Sequence, residues 1–114
     1  MSNEQTYSVI YTDEAVASLS LIQGDKVFSA ILNAIRLLET SPHLGHIYDP
    51  DYPASNPPFE CRVMHCERHA IYHVVHDDDG KVIVFAIEDN RRNPMALFRD
   101  VNYAFIELDS EEQE

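Results

Sequence analysis

Four histidines and a cysteine fall within the thirteen residues MHCERHAIYHVVH, positions 64–76. Imidazole is the side chain that moves protons near neutral pH, and it is also the commonest metal ligand. His65, His69, His73 and His76 are therefore the first candidates for chemistry. Which chemistry depends on the backbone period. Four apart on a helix, His69 and His73 would lie within ~6 Å on one face and could share a zinc ion. Four apart on a strand, they point the same way but stand roughly 13 Å apart, too far for a single metal. Neighbouring β-branched residues and flanking turn signals favour the strand. His69, Ile71, His73 and Val75 then share one face, and Ala70, Tyr72, Val74 and His76 the other. A metal site would need His65 to approach His69 across the turn and a third ligand from elsewhere. No Cys-x-x-Cys or His-Glu-x-x-His spacing supplies one. The expectation is no metal and no cofactor, with His73 and His76 structural or solvent-facing.

The elements that must position these residues follow from periodicity. YSVIYT (7–12) is rich in β-branched and aromatic residues and predicts a strand. Thr12 or Asp13 then caps a helix whose apolar positions are Ala15, Leu19 and Ile22, stopped at Gly24. A second helix from about Lys26 carries the stripe Val27, Ile31, Ala34, Ile35 and Leu38, and Pro42 bars its continuation. So short a link predicts an antiparallel helical hairpin. The segment 41–59 holds five of the six prolines and predicts no regular structure. From Glu60 the period becomes two. ECRVMH (60–65), HAIYHVVH (69–76) and KVIVFAIE (81–88) predict a three-stranded antiparallel meander, with CER and DDDG as the turns. Asn93 and Pro94 have the cap-then-first-turn order of a short C-terminal helix, although Val101, Tyr103 and Phe105 also alternate like a strand. The expected class is α+β, one domain over 1–114 with its core at about 7–108 and an acidic tail at 109–114.

Composition bounds the function. A formal charge of −12 argues against a protein that lives on phosphate backbones. The charge is uneven, however. Residues 60–99 hold seven acids against six bases, while residues 100–114 hold six acids and no base. No stretch approaches the length of a membrane span, and the polar start MSNEQTYSV lacks a signal pattern, so the cytoplasm is the expected location. Cys61 and Cys66, an odd offset apart on a strand, point to opposite faces and are expected as free thiols.

Several stretches resemble one family. YSVIYTDEAVASL looks like its opening strand and helix, and LLETSPHLG like its second-helix exit. CRVMHCERHAIYHVVHDDDGKVIVFAIEDNRR looks like its core hairpins. Over roughly residues 7–98 the chain resembles the RelE/ParE superfamily, the toxins of bacterial type II toxin–antitoxin modules, which include plasmid-stabilisation systems. The resemblance implies a cognate antitoxin as partner. In the RelE-like branch it implies a ribosome-dependent mRNA endoribonuclease (an mRNA interferase), in which a 2′-hydroxyl attacks the neighbouring phosphate without a metal. In the ParE-like branch it implies a DNA gyrase inhibitor. A catalytically degenerate binding protein of the same fold, or an attenuated nuclease, is a further option, as is a homodimer. Carried over by position, the resemblance implies His69, Arg62 and Arg92 as catalytic and Arg91 and Phe98 as substrate-binding. Arg68, one residue before His69, is a further substrate-binding candidate that would supply the charge His69 lacks, if the turn redirects it from the opposite face. His69 stands where most members carry arginine, and Phe98 where RNA-cleaving members often carry tyrosine. Imidazole cannot grip phosphate bidentately as guanidinium does, and phenylalanine has no hydroxyl to relay a proton.

Overall fold

The structure, a computed structural model, describes residues 6–48 and 59–89. Thr12 organises the first turn of the chain. It ends strand β1 (Ser8–Tyr11) and caps helix α1 (Asp13–Ser20), accepting a hydrogen bond from the Ala15 backbone N–H at 3.2 Å. Asp13 and Glu14 follow in the first turn, where carboxylates complement the helix dipole. Thr12 is buried, its N–H donates to the Val84 carbonyl at 3.1 Å and its hydroxyl to the Phe85 carbonyl at 3.4 Å. One residue thus caps the helix and fastens it to the sheet. Thr12→Ala is expected to lower unfolding free energy by ~1–2 kcal/mol in urea titration, with Thr12→Ser recovering most of the loss.

A short link through Gly24 leads to helix α2 (Asp25–Arg36), which tightens into a 3-10 turn at Leu37–Glu39. The stripe read from the sequence faces inward: Ile31, Ile35 and Leu38 are fully buried and Val27 and Ala34 half-buried. Then come β2 (His46–Ile47), β3 (Arg62–Cys66), β4 (His69–His76) and β5 (Lys81–Asp89). They form one sheet in the order β1-β5-β4-β3-β2, with β1 parallel to β5 and the other neighbours antiparallel. The expected meander is β3-β4-β5, and β1 extends it. Strand β2 corrects the expectation of no regular structure across 41–59. His46 pairs with Val63 and Ile47 with Arg62, so two residues suffice once a long neighbour supplies the ladder. The short C-terminal helix, with Asn93, Pro94 and the alternating Val101, Tyr103 and Phe105, lies outside the described residues.

Both faces of the sheet are covered. On one, Ala15, Ile31, Ile35 and Leu38 pack on Met64, Ile71, Val82, Val84 and Ile87. On the other, Cys61, Val63, Ala70, Tyr72, Val74, Ile83, Phe85 and Ala86 form a second cluster. Tyr48 meets Tyr72 edge-on at 5.0 Å between ring centres, and Phe59 meets Phe85 at 5.5 Å. Each fully buried aliphatic or aromatic side chain contributes roughly 1.5–3 kcal/mol. A β-bulge makes this two-sided packing possible. In the β4–β5 ladder Tyr72 opposes Ala86 but His73 opposes Val84, so Phe85 is the extra residue. Without it, strict alternation would send Ala86 to the side of Val82 and Val84. With it, Ala86 joins Ile83 and Phe85, and Ile87 turns to the helices.

Candidate functional site

The hairpin β3–β4 fixes where the candidate residues stand. Glu67 and Arg68 form its two-residue turn with φ of 52° and 66°, the positive pair that matches the twist of the strands. That turn sets Cys66 opposite His69 and Arg62 opposite His73. The two faces inferred for HAIYHVVH hold: Ile71 and Val75 pack with the helices, and Ala70, Tyr72 and Val74 with the second cluster. His65, opposite Ala70, lies on the face away from His69 and does not meet it across the turn. Its ring stands instead beside His46.

His69 and Arg62 are not brought together. Four positions separate them along the ladder, roughly 13 Å at strand spacing. His69 lines an open cleft of ≈ 210 Å³ with Ser18, Leu21, Ile22, Ile87, Glu88 and Asp89. Its Nδ1 lies 2.9 Å from the Glu67 carbonyl. A carbonyl only accepts, so Nδ1 carries the proton, and Nε2 is the basic nitrogen of the neutral ring. Among the described residues lining this cleft there is no lysine or arginine. Arg68 sits exposed in the turn rather than in the cleft. Arg91, Arg92 and Phe98 lie outside the described residues.

Arg62 belongs to a second cleft, also ≈ 210 Å³, with His43, Glu60, Cys61, Val75 and Asp77. Its Nη2 donates to the Gly45 carbonyl at 3.4 Å, tying β3 to the approach of β2. Opposite it, His73 is fully buried, and its Nε2–H donates to the Pro42 carbonyl at 3.1 Å. Burial pushes the His73 imidazole down to about 4, against the raising effect of the Pro42 carbonyl. Nδ1 of His73 is then an acceptor and Nε of Arg62 a donor, and both atoms are buried without a partner among the described residues. At the rim, Tyr7 donates to Asp77 at 2.8 Å and His43 lies 3.4 Å from the same carboxylate. The Tyr7 hydrogen bond holds the Asp77 carboxyl below its ordinary value. Cys61 is buried and its thiol is pushed up to about 12 by burial, which makes it inert, and Cys66 is a second free thiol. Among the described residues no group of three or more His, Cys, Asp or Glu could hold a metal, and no helix is long and apolar enough to cross a membrane.

Sequence reasoning did not find Gly45, the Pro42 carbonyl or the Asp77–Tyr7–His43 contact. The available signals were the lone Gly in HLGHIY and the β-forming pair after it.

Among the described residues, a five-stranded mixed sheet with two helices on one face and a long β-hairpin carrying the polar positions makes an α+β fold. The archaeal RelE of the RelE–RelB complex from Pyrococcus horikoshii superposes with a TM-score of 0.60 at 13% identity, over 78% of this chain and 100% of that one. RelE of the RelBE2 toxin–antitoxin complex from Mycobacterium tuberculosis gives 0.59 at 12%, over 78% and 97%. RelE of the intact E. coli RelBE complex gives 0.57 at 15%, over 75% and 99%. At such identities these likenesses show the fold. Residues 9–94 match the family model for the ParE toxin of the type II toxin–antitoxin system parDE, and the chain belongs to that family. No curated protein sequence is similar enough to count as a match. The chain is therefore a toxin of a type II toxin–antitoxin module.

Proposed function

We propose that this toxin acts by binding a protein target, with DNA gyrase as the ParE-like candidate, rather than by cutting RNA. The observation that carries this reading is the separation of His69 from Arg62 by roughly 13 Å, in a cleft whose described lining holds Glu88 and Asp89 and no guanidinium. Phosphoryl chemistry by 2′-hydroxyl attack needs a base and cations converging on one phosphate. His69 and Arg62, that far apart along the ladder, do not converge on one phosphate.

The second reading is the RelE-like mRNA endoribonuclease, with His69, Arg62 and Arg92 catalytic and Arg91, Arg68 and Phe98 holding RNA. What favours it is the anchoring of His69 through Nδ1, which makes Nε2 a defined base. Induction in a bacterial host distinguishes the two. The binding reading expects growth arrest with DNA-damage signalling, inhibition of gyrase supercoiling by the purified protein, and intact messages. Cleavage of translated messages that disappears in His69→Ala/Arg92→Ala would reverse the order of the readings.

By analogy with the RelE–RelB complexes, a cognate antitoxin is the proposed partner. A chain at −12 favours a less acidic antitoxin or a largely apolar contact. Leu21, exposed in the lining of the His69 cleft just past the end of α1, and Val16 on α1 supply apolar surface for it.

A further inference from the structure

Neither cleft uses His46 or His65, and these two imidazoles stand side by side. His46 on β2 is opposite Val63, and His65 lies two residues along β3 on the same face as Val63. Such diagonal pairs on neighbouring strands are within reach of long and aromatic side chains. The ring centres are 6.0 Å apart with the planes inclined by 26°. Both residues are exposed, and among the described residues neither ring has a hydrogen bond or ion pair.

At 6.0 Å and 26° the two rings form an offset stacked pair. The same separation also lets them share a ligand. A metal ion about 2.0–2.1 Å from one nitrogen of each imidazole places the two ring centres roughly 4.5–6.5 Å apart, depending on the angle at the metal. We propose that His46 and His65 form a bidentate surface site for a divalent transition-metal ion that prefers imidazole: Cu(II) first, then Ni(II) and Zn(II). The order follows the affinity of nitrogen donors for these ions, while Mg(II) and Ca(II) require oxygen ligands. Water completes the coordination. His69 and His73 take no part, because they lie on the opposite face of the sheet. The site clamps the two-residue edge strand to β3, so an ion that binds the folded chain raises its stability by mass action. It stands apart from both clefts and does not depend on which target the toxin engages.

The test is titration of the full chain with copper(II) chloride, followed by calorimetry and visible absorption, and with zinc chloride, followed by melting temperature. One Cu(II) per chain is expected, with a paramagnetic-resonance spectrum showing two coordinated nitrogens and a rise in melting temperature with either ion. His46→Ala and His65→Ala should each weaken Cu(II) at least the roughly tenfold that loss of even an outer-shell partner costs. His76→Ala should leave it unchanged. Absence of saturable binding overturns the proposal. So does binding that persists in the double variant His46→Ala/His65→Ala, or a thiolate-to-copper band that moves the ion to Cys66. The spectrum of the unaltered chain decides the ligand set even if a variant fails to fold.

Discussion

Gly45→Ala is expected to destabilise the chain by on the order of 3–5 kcal/mol, a large share of the roughly 5–15 kcal/mol of a typical domain. Two costs add. Gly45 has φ +85°, a region that costs a side-chain-bearing residue about 1–3 kcal/mol. In addition, a Cβ there would collide with the carbonyl oxygen of Val63 and lie 2.8 Å from its carbonyl carbon. That neighbour cannot yield cheaply. Val63 is buried and is paired on both sides, with His46 and with Tyr72. Forced overpacking costs ~1–3 kcal/mol, and the expected relief is detachment of β2 together with the Arg62–Gly45 hydrogen bond. Gly24 is the control. Its φ is +95°, but nothing lies within 4 Å of its would-be Cβ, so Gly24→Ala meets the backbone cost alone. Urea unfolding of both variants checks the argument. Equal losses would mean that the Val63 collision is absent in solution.

The same region shows what the sequence does and does not reveal. Both helices, their inward stripes and the three meander strands were legible, because an amphipathic helix and a half-buried strand leave different periods in the apolar residues. The face assignment of β4 followed from the same alternation. The bulge at Phe85 was not legible. KVIVFAIE is apolar at every inner position, and a strand buried on both faces carries no alternation from which to detect a slipped residue. Strand β2 was hidden for another reason: two residues beside a proline-rich run carry no period at all, and only the neighbouring β3 makes them a strand. The separation of His69 from Arg62 was within reach, since a two-residue turn at Glu67–Arg68 fixes the register by counting. The family resemblance assigns His69 and Arg62 to one site position by position, and such an assignment carries no distance along the ladder.

His73 gives the second large effect, and it lies in the pH dependence of stability. The imidazole is fully buried, beside Arg62 and near His43, and donates through Nε2 to Pro42. Its folded pKa of about 4 lies below the ordinary 6.5. The folded chain thus holds this ring neutral over a range in which the unfolded chain protonates it. Stability from this group is complete above pH 6.5, falls as the pH drops towards 4, and changes no further below that. At about 1.4 kcal/mol per pH unit, the loss across the window is roughly 3 kcal/mol. Asp77, held below its ordinary value chiefly by Tyr7, also loses its contribution on acidification, but lower, as the pH falls from the carboxylate range through its depressed pKa. Among the described groups with a shifted pKa, the interval from 6.5 down to about 4.5 therefore belongs to His73. Urea titrations at the two ends of that interval should show the fall in the unaltered chain and a much shallower one in His73→Gln, whatever the variant loses at neutral pH. Proton resonances of the ring should report a neutral imidazole at pH 5.5. A ring that titrates near its ordinary value would mean that the Pro42 contact opens in solution, and the acid sensitivity would then have to come from the carboxylates.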